Sequence, residues 1–341
     1  MFRNIPRPGR RELLAFVLLI VEIIFFSLMT ENFATLHNAW NVLRNATDLA
    51  IISIGMTLVI ISGGMDISAG AALGLVALMV GRGLQAGLSA PVLVLIALGL
   101  GAVLGTINGL IITYGRIADI IATLGTNNIL RAAIFALLGG QWITGLPPVF
   151  NGLVLGTIGG IPVPVILILV AYALFLYVTT FTRFGQAIYA VGNNAEAAKL
   201  AGINFRLTKI GAYAVMGALT GFAALIYLGR MGSVEITVGQ DIGLRSVAAV
   251  VIGGTAITGG RGSLVGTLIG VLFIDVMKNG LVMLGVPSIW DRAIVGLLII
   301  LSVTADRYFE VRTARARLKG RAASRTHGPM NQTPPVAAEG R

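Results

Sequence analysis

In the stretch DLAIISIGMTLVIISGGMDIS, Asp48 to Ser68, an almost wholly apolar run stops at a glycine pair. The run from Asp48 to Ser62 is 15 residues long. That makes roughly 22 Å of helix at 1.5 Å per residue, whereas a helix needs roughly 20 residues to cross a bilayer. The run is therefore expected to end within the bilayer rather than at its edge. A short, glycine-interrupted apolar segment is the sequence mark of a transport site. Asp66, just past the glycines, fits that reading, and it fits equally a cap on the helix that follows.

The rest of the chain is of the same kind. Hydrophobic residues make up 56% and charged residues 11%, and the mean hydropathy is +0.90. A soluble domain carries about 25% charged residues and has no means of hiding this much apolar surface. Lipid is the natural solvent. The 45 glycines suit helices packed closely in a membrane. With no cysteine there is no disulfide framework, thiolate nucleophile or cysteine metal site. His37 and His327 are too few and too far apart to suggest a metal site.

The pattern predicts an all-α membrane protein, a polytopic bundle of about ten transmembrane helices. They run approximately over 13–29, 48–62, 67–86, 91–113, 118–138, 162–181, 208–229, 243–258, 263–284 and 289–305. The first follows a basic segment but has no small-residue cleavage site after it, so it reads as an uncleaved span. Residues 1–12 form a cytoplasmic N-terminal segment, 13–308 the transmembrane domain and 309–341 a basic tail rich in Pro and Ala, expected to be disordered.

Lysine and arginine set the orientation. With the N-terminus in the cytoplasm, ten spans return the C-terminus there. Arg3, Arg7, Arg10, Arg11, Arg116, Arg183, Lys199, Arg206, Lys209, Arg261 and the tail cations then lie inside. Arg44, Arg82, Arg230, Arg245 and Arg292 lie at outer edges. Most of the net charge of +11 is thus explained by topology, and nucleic acid is not implied. The tail is a topology anchor that also suits anionic lipid headgroups. One internal echo exists: Gly63-Gly64 before Asp66, Ser68 and Gly70, and Gly259-Gly260 before Gly262, Ser263 and Gly266. Glycine-rich helix ends resemble one another by chance, and the echo is read as coincidence.

Between the sixth and seventh predicted spans the chain turns polar, in VGNNAEAAKLAGI, Val191 to Ile203. Asn194 suits an N-cap, Ala195 to Ala201 are mostly strong helix formers, and Gly202 suits a left-handed C-terminal cap. Glu196 and Lys199 match the helix dipole at their respective ends. So short a helix is not stable alone. It rests either on its own bundle or against a second protein.

The loop TRFGQAIYAVGNNAEAAKLAGI, Thr182 to Ile203, resembles the cytoplasmic loop of ribose-type sugar permeases, the membrane subunits of ATP-binding-cassette importers. Gly63-Gly64-Met65-Asp66-Ile67-Ser68, Ala122 to Thr126, Gly139-Gly140 with Gly145-Leu146-Pro147, and Ala248 to Thr255 with Gly259 to Ser263 agree in the same order. The resemblance covers about residues 41–307. It implies a pathway formed by two permease subunits, identical or paralogous, two cytoplasmic ATPase subunits and a periplasmic protein that delivers the sugar. By this resemblance 182–207 is the coupling loop. Arg183, Gly185, Asn194, Glu196, Ala197, Ala198, Lys199 and Gly202 are its ATPase-coupling residues. The chain has no Gly-x-x-x-x-Gly-Lys-Ser/Thr phosphate loop. It is therefore expected not to be an enzyme and to bind no cofactor of its own, with ATP and Mg on the partner ATPase. The expected location is the bacterial inner membrane.

Ionisable or polar groups within spans are costly and point to function. Asp66, Ser68, Asn108, Thr126, Asn127 and Trp142 are the candidate translocation path, suited to a neutral sugar read by hydrogen bonds. Helix-to-helix bonding is the competing use of Asn108, Thr126, Asn127 and Asn128, and interface anchoring that of Trp142. Asp275 and Lys278, three apart, are expected to form an ion pair within the bundle. An ion-coupled secondary transporter using Glu22, Asp66 and Asp275 is the rival class.

Overall fold

The computed structural model describes residues 10–287 and, between 289 and 304, all but 292, 299, 302 and 303. The chain divides after Ile299, and the fold below belongs to the first unit. The tail 309–341 and most of the N-terminal segment lie outside the described residues.

The chain is overwhelmingly helical, with α1 (Arg10–Met29), α2 (Leu36–Asn45), α3 (Thr47–Ile61), α4 (Ala69–Gln85), α5 (Ala90–Gly115) and α6 (Asp119–Leu138). A short α7 (Gly152–Leu155) and the hairpin of β1 (Thr157–Ile158) and β2 (Ile161–Pro162) follow. Then come α8 (Val163–Phe181), α9 (Arg183–Asn193), α10 (Ala195–Leu200), α11 (Phe205–Met231), α12 (Ile242–Ile252) and α13 (Leu264–Met283). Among the described residues six helices, α1, α5, α6, α8, α11 and α13, are long and apolar enough to cross a membrane. A seventh is added if α2 and α3, bent by 48° to each other, make one span.

The predicted spans at 67–86 and 243–258 are the shorter α4 and α12, 17 and 11 residues long. The predicted span 289–305 falls partly outside the described residues. The short helices are interior ones. Every residue of α3 is buried, as are most of α4 and α12. A helix that is apolar all round is one enclosed by protein, so its length need not match the lipid. The apolar flanks of α1, α5, α6 and α8 are instead exposed, with Leu14, Leu95, Ile121 and Leu169 among them.

The most extensive helix pairing is that of α5 with α11, spaced by small residues. A Cβ at Gly105 would lie 2.9 Å from the Tyr213 carbonyl carbon, and one at Gly109 would lie 2.8 Å from the Ile210 Cα. Gly101 and Gly217 meet backbone to backbone. Lipid tails are as apolar as leucine, so close backbone approach, not hydrophobicity, holds such a pair together.

We call the end of the bundle where α8 stops and α11 starts the loop end. There α3 ends in a Schellman motif, Gly63 N–H donating to Ile60 O (2.9 Å) and Gly64 N–H to Val59 O (2.9 Å). Gly63 has φ +82°, a conformation open to glycine. α12 ends the same way at Gly254 and Thr255. The two glycine pairs of the sequence echo are not equivalent, because Gly259-Gly260 lie beyond the cap of α12. They touch instead: Gly260 N–H donates to Ile61 O at 2.8 Å.

Candidate functional site

Two features meet at the loop end. The first is the loop itself. Thr182 caps α9 by accepting from Gly185 N–H at 3.2 Å. α9 buries Gly185, Ile188 and Val191. A Cβ on Gly185 would strike the backbone of Val178 and Thr179, so this position fixes how α9 folds back on α8. At the other end of α9, a Cβ on Gly192 would lie 2.6 Å from the Gly260 nitrogen and closer still to Ile61 O. Tyr189 Oη donates to Gly262 O at 2.9 Å, and burial holds this phenol above its usual range. α9 is thus anchored where the ends of α3 and α12 come together.

α10 is presented rather than anchored. Asn194 Oδ1 accepts from Ala197 N–H at 3.0 Å. Gly202 N–H donates to Lys199 O (3.0 Å) and Ile203 N–H to Ala198 O (2.9 Å), a Schellman motif with Gly202 at φ +80°. Both caps read from the sequence are present. Ala198 faces inward, while Arg183, Glu196, Ala197 and Lys199 are exposed. Leu200 is 90% exposed, an apolar side chain standing in solvent on the helix's free face.

The second feature is a polar network under the loop. Asp66 Oδ1 accepts from Ser68 N–H (2.8 Å) and Ser68 Oγ (2.7 Å), and Asn108 Nδ2 donates to Ser68 Oγ at 2.7 Å. All three are buried. Beside them Lys209 Nζ meets Asp119 Oδ1 at 2.8 Å, and Tyr213 Oη donates to Asp119 Oδ2 at 2.7 Å. The Met65 carbonyl lies 3.1 Å from Tyr213 Oη and 3.3 Å from Thr123 Oγ1. α4, α5, α6 and α11 are thereby joined around the break after α3. Asp119 and Tyr213 were not singled out in the sequence. The available signal was an acid in the first turn of a span and a lysine near the start of another.

The network brings Asp66, Ser68 and Asn108 together, and it leaves out the other candidates. Thr126 Oγ1 is engaged with carbonyls of its own helix, Ala122 and Thr123. Asn127 is half-buried and Asn128 exposed on α6. Trp142, beyond the end of α6, is 60% exposed. The expected Asp275–Lys278 ion pair is not formed. Asp275 Oδ2 is buried without a hydrogen-bond partner. The ion pairs at the far end run instead between helices, Arg230 to Asp48 and Arg245 to Asp291. No group of three or more metal-ligating residues occurs among the described residues.

Comparison with known proteins gives this arrangement a family. Residues 38–303 match the model of the branched-chain amino acid transport system permease component. The chain belongs to this permease family. It is 36% identical over 308 residues to the ribose import permease protein of Escherichia coli (strain K12), covering 89% of this chain and 96% of that one. Its counterpart in Bacillus subtilis (strain 168) is 38% identical over 294 residues, 86% and 91% of the two chains. The autoinducer 2 import system permease protein of Salmonella typhi is 30% identical over 292 residues, 86% and 84%. No solved structure matches the chain. This is an ABC importer permease, a multi-pass protein of the inner membrane. A permease subunit is not an enzyme; its ATPase is a separate subunit, and a periplasmic binding protein supplies the solute.

Proposed function

We propose that the chain forms the translocation path for a monosaccharide, working by alternating access beside a second permease subunit, identical or paralogous. The relatives named for ribose and autoinducer 2 support the sugar class. The ion-coupled alternative finds no support among them. The loop end faces the cytoplasm with both termini, and the chain crosses about ten times when α3, α4, α12 and the segment near 289–305 are counted. The asymmetry of lysine and arginine supports that orientation.

In this reading α10 is the contact for the ATPase, and ATP and Mg reside on that partner. Arg183, Gly185, Asn194, Glu196, Ala197, Ala198, Lys199 and Gly202 shape and present the contact. The observation that carries the reading is the contrast within one loop: α9 is clamped to the bundle while capped α10 holds Leu200 out in solvent. ATP-driven movement of the partner would push α10, and α9 would pass the push to the Ile61–Gly260 junction. Asp66, Ser68 and Asn108 stand next to that junction. Thr126, Asn127 and Trp142 belong to the side of α6 left open for the second subunit.

The test is affinity purification of the tagged chain from its own host in mild detergent. A stoichiometric ATPase, and sugar uptake that Glu196→Arg and Gly202→Pro abolish at equal membrane abundance, are expected. A chain that purifies alone and moves sugar into liposomes without ATP overturns the reading.

A further inference from the structure

Opposite the loop end the bundle holds a cavity of about 490 Å³, within the range of roughly 300–1,000 Å³ usual for small-molecule sites. It lies between the start of α3, the ends of α11 and α13, the start of α12 and the segment 237–241. Three carboxylates (Asp48, Asp241, Asp275) and three cations (Arg230, Arg245, Lys278) line it, so its formal charges cancel. A lining with one sign of charge would select an ion of the other. A balanced lining rich in both donors and acceptors has no net pull on either ion and suits a neutral molecule whose groups both give and take hydrogen bonds.

The lining also has unused capacity. Asp275 is 7% exposed and its Oδ2 has no hydrogen-bond partner, nor has Arg230 Nε. A buried carboxylate oxygen left unpaired is costly and calls for a partner. The Arg230 guanidinium is held by Asp48 and by the Asn45 carbonyl at 3.1 Å, so it does not swing to Asp275. Tyr227 adds an aromatic ring to the wall, and Gln240 stands exposed at the rim.

We propose that this cavity binds a neutral monosaccharide within a single subunit, at a site separate from the open side of α6, with Asp275 accepting from a sugar hydroxyl. The proposal rests on the sugar-importer reading and adds a receiving site on the face away from the coupling loop.

The purified chain, in lipid nanodiscs without its ATPase, is titrated separately with D-ribose, D-xylose, D-glucose and D-ribose 5-phosphate, with binding followed by saturation-transfer NMR. At least one neutral sugar is expected to bind, and the phosphorylated one to bind more weakly. Asp275→Asn replaces an acceptor, and Gln240→Trp obstructs the rim without touching the buried charges. Each is expected to weaken binding about tenfold or more, the loss of one charge-assisted hydrogen bond or of access. If Asp275→Asn fails to give a monodisperse protein, Gln240→Trp alone decides. No binding of any neutral sugar to the unaltered chain overturns the proposal, as does undiminished binding by Gln240→Trp, or preference for the phosphorylated sugar. Failure of the importer reading itself shows elsewhere, as absence of an ATPase from the purified assembly.

Discussion

The two ends of this bundle use the same materials differently. At the loop end, the carboxylates of Asp66 and Asp119 both accept hydrogen bonds, and Lys209 is paired. Glycines bring the backbones of Gly192, Ile61 and Gly260 into contact. At the far end, acids and bases surround a cavity, and Asp275 Oδ2, Arg230 Nε and Asp291 Oδ1 are left unpaired. Buried charge alone therefore says little about function. What separates a structural cluster from a receptive one is whether its hydrogen-bonding capacity is used up.

Stability measurements in detergent can break or sharpen that contrast. Lys209→Met should do most, leaving Asp119 with a buried charge and costing about 3 kcal/mol. A thermal unfolding midpoint unchanged from the parent would mean that the loop end is not held by this pair. Tyr213→Phe removes the single phenolic donor, which bonds the Asp119 carboxylate at 2.7 Å with the Met65 carbonyl also in reach, for a loss of about 1.5 kcal/mol. Its effect should shrink when Asp119 is already replaced by alanine, and full additivity would separate the two residues. Asn194→Ala deletes the cap of α10 at about 1 kcal/mol. The loss should show as faster amide exchange at Ala197 rather than as global unfolding. Asp275→Asn should do least, a shift below about 1 kcal/mol and upward if anything, because it breaks no hydrogen bond and removes a buried charge. A drop as large as that of Lys209→Met would show that Asp275 is a structural partner and that the two ends are alike.

Much of this was legible in the sequence, for identifiable reasons. The long spans follow from uninterrupted apolar length. The caps of α10 follow from Asn194 and Gly202, because a cap is a local matter of a few residues. The shortness of α3 and its end were legible in its 15 mostly apolar residues and the glycines behind them. The amphipathic helices α2 and α9 were missed, since each is short and mixed in polarity and reads as loop beside runs of pure hydrocarbon. Asp66, Ser68 and Asn108 were recognised singly. Their mutual bonding was not, because Ser68 and Asn108 are 40 residues apart in sequence and no local pattern encodes that approach. Asp275 and Lys278 misled for the opposite reason. Their spacing invites a local pair, yet both side chains face one cavity without closing to an ion pair. The cavity was invisible because Arg230 and Arg245 read as topology signals at span ends.

The contact of Gly192 with Ile61 and Gly260 has a mechanical consequence. A joint built from side chains has play: rotamers shift, and a small displacement on one side dies before it reaches the other. Here backbone rests on backbone, with no side chain between. Such a joint has almost no backlash, so a movement of a fraction of an ångström at α9 is felt at once by the helix end beneath it. The same feature makes the joint unforgiving, since even a single added methyl group would prise it apart.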